Sequence, residues 1–135
     1  MDLPTFLALP HRFRWGGADG DDCTTFCATW VAEQVGIDPA ADLRGTYRTA
    51  AAASSILNAA GGIVAFIEGR LTPLGYLRTT TPQSGDIGVV TAPVGLGSEH
   101  KEVAAICMGK TWAILGPHGV CGKKLDHVAA WRLAA

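Results

Sequence analysis

A chain of 135 residues is the size of one domain and is long enough to bury a core of its own. Its 11 basic and 12 acidic residues nearly cancel, which argues against a nucleic-acid partner held by a broad basic surface. Apolar residues make up 48% of the chain, an excess that fits either an alanine-rich core or a surface covered by other subunits. No stretch approaches the roughly 20 continuous apolar residues of a membrane span. The N-terminus shows no basic region leading into an apolar run and a cleavage site, so the expectation is a chain made and folded in a cytoplasm. Four cysteines are too sparse for a disulfide framework.

The first informative stretch is Arg14-Trp15-Gly16-Gly17, followed by Asp21-Asp22-Cys23-Thr24-Thr25-Phe26. An apolar helical pattern starts behind the cysteine, with Phe26, Trp30 and Val31 at helical spacing and Gly36 as a stop, which predicts a helix over Thr24 to Val35. Cys23 then stands at a helix N-terminus, where open amide groups and the helix dipole favour the thiolate over the thiol. Asp38-Pro39 suits the start of a further helical segment, with Asp38 as cap. Thr49 to Ala60 predicts an alanine-rich helix ended by Gly61-Gly62, and Ile63 to Gly69 a short one with Ile63, Phe66 and Ile67 on one face.

The second half changes character. Ile87 to Thr91, Val103 to Met108 and Thr111 to Leu115 are short apolar or β-branched runs separated by Gly and Pro, which predicts an antiparallel meander. Val120 and Leu125 suggest another short strand, Val128 to Leu133 closes the chain, and Pro93 to Gly97 reads as a loop. Helices first and strands later predict one α+β domain over residues 1–135, its helical N-terminal half packed on an antiparallel sheet.

Trp-Gly-Gly, a polar spacer and Asp22-Cys23-Thr24 together resemble the nucleophile region of NlpC/P60 cell-wall cysteine peptidases, whose usual form is Asp-Cys-Ser-Gly. Gly85-Asp86-Ile87-Gly88-Val89-Val90 is similar to that family's Gly-Asp-Leu strand opening, and Val103 to Gly109 to its following strand. Gly36 to Pro39 and Leu43 to Arg48 resemble a smaller branch, NlpC/P60-like proteins encoded by phages and prophages. The resemblance runs from Phe13 to Trp131. It implies the papain-like fold, with Cys23 as candidate nucleophile and a histidine base at the start of the second strand.

That base is missing from its place. Counting back from Gly109 puts Val103 at the histidine position and Leu115 near the position that orients it. His100, the doubtful alternative, lies three residues earlier, on the opposite strand face from Val103 unless a bulge or reversal at Glu99 to Lys101 brings it back. Without a positioned base a cysteine loses the proton shuttle for its leaving group. The residues therefore lean away from catalysis. The resemblance implies a structural protein of a phage tail tip, located in the virion tail beside hub and distal tail proteins. The alternative is an active cysteine peptidase or amidase acting on host peptidoglycan during DNA delivery. No cofactor is implied. Cys27, Cys107, Cys121, His100 and His118 offer zinc ligands, but their spacing fits packed cysteines better. Arg44 is placed to hold Asp22 or Asp42 in an internal salt bridge. Among the four tryptophans, Trp131 is the one expected to meet a partner.

Overall fold

The central helix begins where the sequence supplies an acceptor for open amide groups. In the computed structural model, which describes residues 1–93 and 100–134, the Asp22 carboxylate accepts from the N–H groups of Thr24 and Thr25. The Thr25 hydroxyl accepts from the Asp22 N–H in return. This reciprocal cap starts α2, Cys23–Val35, one residue ahead of the predicted start. Gly36, at φ 77°, ends it in the left-handed conformation that glycine adopts without strain. Phe26, Cys27, Trp30 and Val31 form the buried stripe. Complete burial of a side chain such as Phe26 contributes about 1.5–3 kcal/mol.

Three further helices surround it. The sequence reading missed α1, Leu3–Leu7, which is capped by Asp2 and buries Leu3 and Phe6. Asp38-Pro39 opens a run of turns rather than a helix, and Asp38 accepts from the Ala40 N–H and from Arg44. α3, Ala50–Ala59, is capped by Thr49 and buries none of its residues fully. α4, Ile63–Leu71, runs two residues past its predicted end because Leu71 is also part of the core. No single helix among the described residues is long and apolar enough to cross a membrane.

The sheet has six antiparallel strands: β1 Tyr76–Arg78, β2 Ile87–Pro93, β3 His100–Cys107, β4 Trp112–Gly116, β5 Gly119–Lys123 and β6 His127–Leu133. Their order is β1-β6-β2-β3-β4-β5, so β2 to β5 form the expected meander and β6 returns to the other side of β2. Val120 lies in β5 while Leu125 lies in the connection after it. The predicted loop at Pro93 to Gly97 begins inside β2, and its remainder falls outside the described residues. The fold is α+β, with α2 packed across β3 and β4.

Alternation divides the sheet into two faces. Ile87, Val89, Ala104, Ile106, Ala113 and Leu115 join the helices in the main core. Val90, Ala105, Cys107, Trp112 and Ala130 form a second cluster on the reverse face. Trp131 belongs to the main core. It is 1% exposed, its indole N–H donates to Glu68, and Arg78 stacks over its ring. The expectation that it meets a partner is therefore corrected: β6 is an interior strand and turns Trp131 toward the helices.

On the reverse face, Trp112 lies flat against Gly88, where an added Cβ would stand 2.4 Å from the ring. Gly88→Ala should therefore destabilise the protein by about 1–3 kcal/mol, the usual cost of overpacking. Urea denaturation of Gly88→Ala and of the Gly88→Ala/Trp112→Leu pair checks it. A cost as large in the pair as in the single variant would assign the effect elsewhere.

Candidate functional site

Cys23 stands at the N-terminus of α2, as the sequence predicts, and directly follows the Asp22 cap. Its thiol, however, is held as a thiol. The Sγ–H donates to the backbone carbonyl of Leu115 at 3.3 Å. A carbonyl oxygen accepts a proton but offers nothing to a thiolate, so this contact stabilises the neutral form. Burial pushes the Cys23 pKa up to about 11, and the adjacent Asp22 charge adds to the shift. Its own backbone amide and Lys101 pull the other way and do not prevail. The expectation of a thiolate favoured by the helix terminus is overturned, because desolvation and a neighbouring carboxylate outweigh the dipole.

The Leu115 side chain is fully buried in the main core, so that position supplies a carbonyl where an orienting side chain was sought. Val103, counted into the histidine position, borders the cavity over Cys23 but is packed from the other side of the sheet. The β2–β3 ladder pairs residue for residue from Ile87↔Ile106 to Pro93↔His100. Within it His100, Glu102, Ala104 and Ile106 share one face, and Ala104 and Ile106 lie in the helix-covered core. Val103 packs against the reverse-face cluster instead.

His100 is thus on the helix-covered face, at the exposed outer end of β3. The regular pairing of His100 with Pro93 and of Lys101 with Ala92 leaves no bulge there, and Glu99 lies outside the described residues. The cavity over Cys23, about 60 Å³, has room for a few waters or one small apolar group. Cys23, Trp15, Tyr47 and Phe66 line it, and β3 contributes residues from Lys101 to Ala104.

Asp22 is a hub that the sequence reading saw only in part. Besides its two helix amides it accepts from the Gly16 N–H and, in a very short contact, from the Tyr47 hydroxyl. Tyr47 is buried, and burial together with the bond to Asp22 pushes its pKa well up. Gly16 could not be any other residue. It sits at φ 95°, and a Cβ there would lie 2.0 Å from the Tyr47 carbonyl oxygen.

Arg44 does form the internal salt bridge that was expected, but with different partners. It pairs with Asp21 at 2.8 Å and Asp38 at 2.6 Å, and also donates to the Gly17 carbonyl and the Thr29 hydroxyl. Asp42 goes to Arg70 and Asp22 to Tyr47, so neither is free to take Arg44. This network pins the loop before Cys23 to the turns after α2. Asp86 in the Gly85-Asp86 motif is buried and paired with Arg132 at 2.9 Å, which ties the entrance of β2 to β6.

Cys27 and Cys107 are buried in separate clusters on opposite faces of the sheet, and Cys121 is exposed. Among the described residues no group of three or more His, Cys, Asp or Glu side chains is arranged to hold a metal ion. The site thus offers a protonated thiol, a small cavity and a rigid carboxylate–tyrosine support.

Over residues 7–133 the sequence matches the family described as "Domain of unknown function (DUF6950)", and the chain belongs to that family. No curated protein and no solved structure matches it significantly.

Proposed function

We propose that this DUF6950 domain is a structural subunit of a phage tail tip, docked beside hub and distal tail proteins. In this reading it keeps an NlpC/P60-like arrangement around a cysteine site that no longer catalyses. The observation that carries the loss of catalysis is the hydrogen bond that the Cys23 thiol donates to the Leu115 carbonyl. A peptidase needs an imidazole there, to take that proton and later deliver it to the leaving amine. The tail role rests on the resemblance of the Gly36 to Pro39 and Leu43 to Arg48 stretches to the phage branch, and it is supported by surface. α3 exposes most of its alanines, and Ile37, Leu77 and Val128 are large apolar side chains left uncovered.

The competing reading is an active cysteine peptidase of the cell wall. It is favoured by Cys23 lining an open cavity and by His100 lying on the same sheet face as Ala104 and Ile106. One assay separates the two: release of muropeptides from peptidoglycan by the wild type, Cys23→Ala and His100→Ala. General acid–base assistance is typically worth about a hundredfold to ten-thousandfold in rate. Equal background in all three is the expected result. Cleavage well above background that both variants abolish would establish the peptidase instead. The location is checked by mass spectrometry of tails purified from the phage or prophage that encodes the chain. Absence of the protein from those tails would defeat the structural reading.

A further inference from the structure

The arginines of this chain divide into two groups. Arg44, Arg70, Arg78 and Arg132 are each paired with an aspartate or glutamate. Arg12, Arg14 and Arg48 are exposed and make no ion pair among the described residues. Two of them, Arg14 on the loop that leads to Cys23 and Arg48 beside Tyr47, line one open cleft of about 520 Å³ together with Phe13, Trp15, Tyr47 and Asp19, among others.

The cleft is held in shape from beneath. The Arg14 N–H donates to the Asp21 carbonyl and the Gly45 N–H to the Gly16 carbonyl. Half-buried links from Arg44 to Gly17 and Asp21 tie down the same loop. Two arginines therefore line the cleft with Phe13, Trp15 and Tyr47, and the single carboxylate of Asp19 leaves it net positive. Trp15 and Tyr47 also line the cavity over Cys23, so the two hollows adjoin. That second hollow is walled mainly by apolar side chains such as Ile56, Leu57 and Phe66.

We propose that this cleft docks an acidic segment of another protein chain, its carboxylates held by Arg14 and Arg48 and an adjacent apolar side chain seated in the hollow over Cys23. Guanidinium forks match carboxylates in geometry and charge, and the aromatic floor supplies rigid contact area. A lone phosphate would leave the apolar hollow empty. A nucleic acid would need a wider basic surface than a nearly neutral chain provides. This proposal rests on the reading of the Cys23 site as non-catalytic, since a docked segment would occupy the space a substrate needs.

The test is titration of the intact protein with the peptide acetyl-Gly-Glu-Leu-Glu-Gly-amide, followed by NMR at the Trp15 indole N–H and the Arg14 and Arg48 side chains. Saturable shifts at those groups are expected, and weaker ones as salt rises. The Gln-for-Glu peptide should bind at least tenfold more weakly. Arg14→Gln/Arg48→Gln should lose about tenfold to a hundredfold in affinity, the usual effect of removing charged hydrogen bonds. Both positions are exposed, and an unchanged melting temperature confirms that the variant is folded. No shift at millimolar peptide, equal binding by the Gln peptide or the variant, or equally tight binding of inorganic phosphate would each overturn the proposal. The muropeptide assay fails or succeeds separately. Background cleavage with no peptide binding sinks only the docking site, whereas Cys23-dependent cleavage sinks the non-catalytic reading whatever the peptide does.

Discussion

Cys23 in the folded protein should react with iodoacetamide at pH 7.5 about three hundredfold more slowly than the same cysteine in the denatured chain. The nucleophile is the thiolate, and its fraction falls tenfold for each unit that the pKa exceeds the solution pH. An ordinary thiol titrates near about 8.5, whereas burial and the Asp22 charge push this one up to about 11. The rate should therefore keep climbing to about pH 11 in the native protein, and level off well below that in denaturant. Site-resolved mass spectrometry of timed alkylation measures both. A native Cys23 that reacts as fast as the denatured one at pH 7.5 would restore an activated nucleophile and the enzyme reading with it. The same shift makes a statement about stability. Because folding raises this pKa, the folded state keeps its proton after the unfolded chain has lost it. The contribution is complete below about pH 8.5 and is lost as pH rises toward about 11.

Asp22→Ala should destabilise the domain by about 3–4 kcal/mol. The carboxylate accepts from two helix amides, from Gly16 and from the Tyr47 hydroxyl, all in a buried setting. An N-cap alone is worth about 0.5–2 kcal/mol, and a hydrogen bond to a charged group contributes about 1.5–3 kcal/mol net, values that do not add in full for one shared carboxylate. Removing the acceptor also leaves the buried Tyr47 hydroxyl unsatisfied. Tyr47→Phe should cost less, about 1–2 kcal/mol, since it removes one donor and spares the helix cap. Equilibrium urea denaturation of both variants is the measurement. An Asp22→Ala protein within 1 kcal/mol of wild type would show that the cap and the Tyr47 bond contribute little.

These outcomes bear on whether the site could be made active. Val103 packs against the reverse-face cluster although it borders the cavity over the sulfur, so an imidazole is better introduced at residue 102, which shares its face with Ala104 and borders the same cavity. Even there, the Leu115 carbonyl would compete for the thiol proton.

The amino-acid sequence alone determined the features that close within a few residues. Asp22 and Thr25 cap α2 across three positions, Gly36 stops it, Thr49 caps α3, and the β-branched runs between Gly and Pro make the strands of the meander. Each of these is settled by local hydrogen bonding or by side-chain periodicity, which spacing reveals directly. It also singled out Cys23 and the Leu43 to Arg48 stretch as the residues around which the site is built. Tertiary structure decided what those residues meet. The bond from Cys23 to Leu115 spans 92 positions and the one from Tyr47 to Asp22 spans 25, and no local rule ranks such partners. It decided as well that Glu102 shares the helix-covered face with Ala104 while Val103 packs against the reverse-face cluster, since a strand's parity is fixed by the neighbour it pairs with. The thiol's protonation followed from the same assembly: the dipole of one helix is legible in sequence, but the burial that outweighs it exists only once β3 and β4 have closed over α2.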